Sequence, residues 1–262
     1  VKERADKLLV EQGLAESRQK AQALIMAGRV FIKGQRVEKP GQPLVVDSQL
    51  EVKAPLPFVS RGGLKLAEAL DVFQVDVNGK IAADLGASTG GFTDCLLQRG
   101  APRVYAVDVD PRQLDWRLQQ DVRVIPIHKN ARYLEKSDFP EPLEIVTCDL
   151  SFISVLKVLP AIRRILSGAE VLTLVKPQFE AGKGQVGKKG IVRDPAIHQA
   201  VLERVLSQAW REGFYPHGLH KCTQKGQKGN QEFFIFWRID RVGFSWKEVL
   251  DIIKEIVRNE KN

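Results

Sequence analysis

The chain has 262 residues, 44% of them hydrophobic, which is enough for one large domain and a small companion, each with a core. Forty Lys and Arg against 32 Asp and Glu leave a net charge of +8, which points toward nucleic acid or another anionic surface. There is no run long enough for a membrane-spanning helix, no signal-peptide pattern, and no pairing or metal spacing among the three cysteines, Cys95, Cys148 and Cys222, so the expectation is a cytoplasmic protein without a metal.

Arg4 to Glu11 has helical spacing in Ala5, Leu8 and Leu9, with Gly13 as its stop. Ser17 caps a second helix, Arg18 to Ala27, with Ala21, Leu24 and Ile25 on one face and Gly28 beyond its end. Strands at Val30–Ile32, Gln35–Val37 and Gln49–Val52 follow, and Lys33-Gly34 reads as a hairpin turn. Arg4, Lys7, Arg18, Lys20, Arg29, Lys33 and Arg36 crowd this stretch. A solvated surface explains any one of them singly, but two helices followed by a basic hairpin are harder to dismiss in that way. The segment Ala54-Pro55-Leu56-Pro57-Phe58 then breaks the pattern. The expected division is a small α+β domain at 1–53, a linker at 54–60 and a larger domain at 61–262.

In the larger domain strand and helix alternate. Strands are expected near Ile81, at Val104, near Val122, at Glu144–Cys148, at Glu170–Val175, at Pro216–Cys222 and at Phe233–Arg238. Helices are expected from Gly91, from Pro111, and over Val155–Leu166, Pro195–Glu212 and Trp246–Arg258. This is the order of a Rossmann-like, doubly wound α/β sheet.

The first strand ends in Asp84-Leu85-Gly86-Ala87-Ser88-Thr89-Gly90-Gly91-Phe92. Its glycines let the backbone turn and approach a ligand, and the following helix aims free N–H groups at it. The spacing differs from Gly-x-Gly-x-x-Gly, and the acid before the first glycine suits a sulfonium ligand with a free amino group better than a pyrophosphate. Of the ligands such a loop could hold, a dinucleotide, a phosphate or S-adenosylmethionine, this favours the last. Asp108, ending the second strand, is placed to accept hydrogen bonds from ribose hydroxyls. Asp110, before Pro111, reads as a helix cap. Asn130 stands where adenine is often flanked, and a turn role suits it equally.

Four polar residues mark strand ends or the helix before the sheet: Lys65, Asp149, Lys176 and Glu232. Ligands of open α/β sheets bind outside the carboxyl ends of the strands, so Asp149 and Lys176 are expected to face the cofactor. Methylation of a ribose 2′-hydroxyl needs an alkoxide-like oxygen. A lysine that is desolvated and crowded by another cation can act as its base, and carboxylates can orient it. Lys176 is the expected base, with Asp149 orienting it.

The motifs Ser60-Arg61-Gly62-Gly63-Leu64-Lys65-Leu66, the glycine loop, Asp149-Leu150-Ser151-Phe152-Ile153, Lys176-Pro177-Gln178-Phe179-Glu180 and Asn230-Gln231-Glu232 resemble the FtsJ-type ribose 2′-O-methyltransferases. Arg4-x-Asp6-x-x-Leu9, Ser17-Arg18-x-x-Ala21, Ile25-x-x-Gly28-x-Val30 and Gly34-x-x-Val37 resemble the RNA-binding module of ribosomal protein S-four and many pseudouridine synthases. The whole chain resembles the TlyA family, which joins the two. That resemblance implies a Lys-Asp-Lys-Glu tetrad on Lys65, Asp149, Lys176 and Glu232, S-adenosylmethionine as cofactor, and cytidine 2′-O-methylation of rRNA in ribosomal subunits. It leaves the oligomeric state open.

Gly182 to Lys188 imitates a phosphate-binding loop, but Lys189 stands where Ser or Thr must hold magnesium. A mobile basic loop that closes over RNA suits Lys183, Lys188, Lys189 and Arg193 better, with a disordered surface loop as the alternative, and Arg61 is a further expected RNA contact. The histidines show no metal spacing. Rival readings are a membrane-active haemolysin, from the label often given to this family, and a catalytically inactive RNA-binding assembly factor.

Overall fold

The computed structural model describes residues 1–54, 56–182 and 184–258. The chain divides into two compact units, Val1–Leu56 and Pro57–Asn262.

In the first unit β1 (Lys2–Arg4) leads into α1 (Ala5–Glu11), then α2 (Arg18–Met26), β2 (Val30–Ile32), β3 (Gln35–Arg36), β4 (Pro43–Val45) and β5 (Leu50–Val52). Ser17 caps α2 by accepting from the Lys20 N–H. Lys33 and Gly34 both take positive φ, as the tight turn between β2 and β3 requires. Ala5, Leu8, Leu9, Ala21, Ile25, Val30, Val37, Leu44 and Leu50 close the core. The pairing of β1 with β4 has no counterpart in the sequence reading, because three-residue strands carry too little periodicity to see.

Asp6 is fully buried in this unit. It accepts from Arg4 Nε and Nη2, Arg18 Nε and Gln22 Nε2 at 2.8–3.0 Å. Arg4 and Arg18, expected on RNA, are thus bound to a structural carboxylate, with about half of each side chain exposed. Lys7 and Lys20 pair with Glu3 and Glu16 on the helix surface, while Arg29 Nε donates to the Lys53 carbonyl. Lys33 occupies the hairpin turn and is exposed.

The second unit holds a seven-stranded sheet and its helices. In chain order these are α3 (Arg61–Phe73), β6 (Ile81–Leu85), α4 (Gly91–Gln98), β7 (Arg103–Asp108), α5 (Trp116–Gln119), β8 (Val124–His128), β9 (Leu143–Cys148), α6 (Leu159–Ile165), β10 (Leu166–Val175), α7 (Pro177–Glu180), α8 (Pro195–Arg211), β11 (Tyr215–Lys221), β12 (Phe233–Arg238) and α9 (Trp246–Arg258). The strand order is β11-β12-β10-β9-β6-β7-β8. Every pair from β10 to β8 is parallel, and β12 is antiparallel to both of its neighbours. The expected doubly wound α/β architecture is therefore present, and β6 and β9, neighbours far apart in sequence, mark its switch point. Apolar side chains fill both faces of the sheet. Trp237 is buried in β12 and donates to Thr173 Oγ1 at 2.8 Å.

Three expectations are corrected. The helix from Pro111 is a 3₁₀ turn, Pro111–Gln113, followed by the short α5, whose cap is Asp115. Asp110 makes no cap bond; its carboxylate is taken by Arg112, whose Nε donates to it at 2.7 Å. The helix expected at Val155–Leu166 is a 3₁₀ turn, Val155–Lys157, followed by α6, with Pro160 in the first turn of α6.

The Asp6 carboxyl is held far below the ordinary carboxylate range, first by its hydrogen bonds from Arg4. An unfolded Asp titrates near 4. The pair therefore contributes stability in full above about pH 4, and that contribution is lost as pH falls through the lower folded value. Asp6→Asn in the full chain should speed amide hydrogen exchange in α1 and α2 about tenfold or more at pH 7. The difference from wild type should narrow as pH is lowered below about 4.

Candidate functional site

The carboxyl ends of β6, β9 and β10 open onto a cavity of about 710 Å³. Lys65, Asp149, Lys176 and Glu232 all line it, together with Arg61, Gly86, Ala87, Ser88, Thr89, Gly91 and Phe92. Lys65 projects from the second turn of α3, while Asp149 and Lys176 directly follow β9 and β10. Glu232 precedes β12, and the register Val175↔Phe233 brings it beside Lys176 in the sheet. An all-parallel sheet would leave that residue at the opposite end of its strand, roughly 20 Å away.

The four side chains form two ion pairs. Lys65 Nζ lies 2.5 Å from Glu232 Oε2, both side chains nearly buried. Lys176 Nζ lies 2.5 Å from Asp149 Oδ1 and 3.1 Å from Ser151 Oγ. Gln178 Nε2 reaches Glu232 Oε1 at 3.5 Å.

The glycine loop sits between β6 and α4. Gly86 has φ +84°, and a Cβ there would stand 2.5 Å from the Asp149 carbonyl oxygen. Only glycine allows the ends of β6 and β9 to meet so closely. Gly90 also has positive φ, but it is buried against Leu114 and Leu118 and does not line the cavity.

Asp84 is placed otherwise than expected. It is wholly buried, its carboxylate accepting from Thr93 Oγ1 at 2.7 Å and Thr147 Oγ1 at 3.3 Å. It underpins the loop from below instead of presenting an oxygen to the cavity, because the strand register aims it between α4 and β9. Burial, with the nearby Asp149 charge, pushes its carboxyl up to about 7.

A second cavity of about 620 Å³ shares Gly86, Ser88, Asp149, Ser151 and Phe152 with the first and adds Asp108, Lys129, Asn130, Arg132 and Lys157. Asp108 accepts from the Ser88 and Asp110 N–H groups, one on each oxygen at 2.9 Å. Each oxygen keeps a lone pair for a hydroxyl. Asn130 Oδ1 caps the turn at Arg132, so the turn role weighed for it is realised at the cavity wall.

Lys188 and Lys189 lie in an exposed loop and do not line either cavity, whereas Val186 and Gly190 of that loop do. Lys183 lies outside the described residues. Among the described residues no group of three or more His, Cys, Asp or Glu side chains is placed to hold a metal, and no helix is long and apolar enough to cross a membrane.

Phe152 was missed by sequence reasoning as a site residue. It is 89% exposed, has φ +64°, lines both cavities and stands 5.0 Å from the Phe179 ring. A bulky residue in this strained conformation with its ring in solvent is a site signal. The sequence carries only its position three residues after Asp149.

Comparison with known proteins agrees with this construction. Residues 58–239 match the FtsJ-like methyltransferase model and residues 3–50 the S4 domain model. The chain is 43% identical, over 90% of its own length and 89% of the other's, to the 16S/23S rRNA (cytidine-2′-O)-methyltransferase TlyA of Mycobacterium tuberculosis. The chain belongs to the TlyA family. Hemolysin A of Brachyspira hyodysenteriae is 41% identical over 90% of this chain and all of its own. A solved Streptococcus thermophilus structure has a TM-score of 0.77 at 45% identity, covering 99% of this TlyA-family chain and 95% of its own.

The Asp84 environment gives a signed pH test. Its folded carboxyl titrates near 7 and its unfolded one near 4, so between these values the folded state holds a proton that the unfolded state has lost. Stability from this group falls as pH rises from about 4 to about 7 and is level above. Asp84→Asn should therefore gain stability relative to wild type across that window, by about 4 kcal/mol or less at pH 8. Urea melts at pH 4.5 and pH 8 would show it; an unchanged difference would contradict the assignment.

Proposed function

We propose that the chain transfers the methyl group of S-adenosylmethionine to a ribose 2′-hydroxyl of ribosomal RNA, at cytidine. The observation that carries this reading is the pair of lysine–carboxylate contacts beside the glycine loop in one cavity. The residues fit the cofactor: the backbone cradle at Gly86 that a Cβ would fill, the half-buried Asp108 with acceptor capacity for a ribose, and Asn130 and Ala131 on the wall beyond it. S-adenosylmethionine, when bound, supplies an electrophilic methyl group.

Lys176 enters the step as the neutral amine, its own proton having passed to solvent, and takes the proton of the 2′-hydroxyl at Nζ; Asp149, 2.5 Å away, holds the ammonium that results. Ser151 fixes the direction of the amine through its hydroxyl. Lys65, held by Glu232, adds positive charge where the oxygen gains electron density. The exposed ring of Phe152 offers a face on which an extruded base can stack, and Arg61 stands at the cavity rim for the RNA backbone.

The choice of rRNA and of cytidine rests on relatives. The M. tuberculosis protein is named for both 16S and 23S RNA, and a Campylobacter jejuni protein, 36% identical over 69% of this chain, is named for 23S RNA alone. The S4 match supports structured RNA as the partner of the basic N-terminal unit. The apolar face of α9, Val249, Ile253 and Val257, is buried in the core of the sheet domain and so is not the membrane-facing surface that the haemolysin reading would need from that helix.

Lys176→Ala should lower methyl transfer from labelled S-adenosylmethionine to purified ribosomal subunits by about a hundredfold or more. Mass spectrometry of the digested RNA should show a ribose 2′-O-methyl mark with wild type and none with the variant. No transfer by wild type to either subunit would overturn the reading.

A further inference from the structure

Beside the catalytic cavity lies another concavity, of about 650 Å³, lined by Arg61, Gln224, Lys225, Gly226, Lys228 and Gly229. Arg61 and Lys228 line both. Arg61 opens α3, one turn before Lys65, and its Nη2 donates to the Lys225 carbonyl at 2.9 Å. This ties the 224–229 loop to the helix that carries Lys65. Lys228 takes φ +58°, a strained setting for a lysine, and its Nζ lies near Gly190 on the far wall of the catalytic cavity.

The cations around this concavity lack the acidic partners that several surface arginines have. Arg99, Arg112, Arg117 and Arg123 are each paired with a nearby aspartate. Among the described residues no carboxylate pairs with Arg61, Lys225 or Lys228. The two acids nearest the loop are committed: Glu232, beneath Gly226, to Lys65, and Glu68 to His220 and Thr223. Three unneutralised cations around one concavity repel each other, and a phosphodiester entering it removes that repulsion.

We propose that Arg61, Lys225 and Lys228 form a phosphate cradle that holds the RNA backbone next to the ribose presented to Lys176. This rests on the methyl-transfer reading for the identity of that ribose. The shared residues Arg61 and Lys228 place the bound phosphate at the border of the two cavities, where an adjacent nucleotide of the same strand must pass. The cradle positions the strand without reading bases, as phosphate contacts do.

The test compares the full chain with its Lys225→Gln/Lys228→Gln and Lys225→Arg/Lys228→Arg variants. Both lysines are exposed, and an unchanged thermal midpoint checks that the fold is kept. The probe is a fluorescein-labelled single-stranded oligocytidylate of about ten nucleotides, titrated at several KCl concentrations. The glutamine variant should bind about tenfold or more weakly at low salt, with the slope of log K against log[KCl] reduced by about 0.7 for each phosphate no longer neutralised. The arginine variant should keep the wild-type slope. In methyl transfer to ribosomal subunits the glutamine variant should raise KM with kcat little changed.

An unchanged affinity and slope would overturn the cradle. So would a fall in kcat at constant KM, which would mean that the loop acts through Glu232. Loss of binding to phosphatidylglycerol vesicles with RNA binding intact would assign the cations to a lipid surface instead. Absence of methyl transfer by wild type would sink the reaction and leave the binding result to decide the cradle separately.

Discussion

Two lysines and two carboxylates share one partly dry cavity, and desolvating four ionisable groups is costly unless each faces an opposite charge. That requirement shapes the sheet domain. Lys65 needs Glu232, and Lys176 needs Asp149. These residues come from a helix before the sheet, from the ends of two parallel strands, and from the start of a strand running the other way. The reversal of β12 is what allows the last partner to reach the same end of the sheet as the others. A uniformly parallel sheet could supply three of the four.

The glycine loop solves a related problem of distance. The backbone after β6 must pass within contact of the backbone after β9, and Gly86 permits this at a φ that side-chain-bearing residues rarely adopt. Below the loop, Asp84 accepts from two threonine hydroxyls on different elements, α4 and β9. A buried carboxyl in this position fixes the loop to both. The buried polar group belongs to the scaffold, and the groups above it are left to face the cavity.

Much of this was legible in the sequence because strand ends announce themselves. Apolar runs ending in Asp84, Asp108, Asp149 and Lys176 located four strands along the chain, and the apolar run from Phe233 located the last. The direction in which a side chain leaves its strand is not written in such runs. Asp84 and Asp108 end similar ones, yet one is sealed beneath the loop and the other lines a cavity. Arg4 and Arg18 suit RNA by charge alone, whereas the buried Asp6 stands between them in the fold, an arrangement that the spacing Arg4-x-Asp6 does not reveal. Phe152 depends on a backbone torsion that no residue pattern encodes. The helix expected from Pro111 failed for a local reason, since a single 3₁₀ turn satisfies the same proline signal as a long helix.

Lys65 and Glu232 are separated by 167 positions in the chain, which has a bearing on biosynthesis. A ribosome must have released all of β12 before that strand can insert between β10 and β11. Until then the glycine loop and the first lysine are already outside, but the lysine has no carboxylate to face. The site is therefore completed late, by a strand inserted into the interior of the sheet.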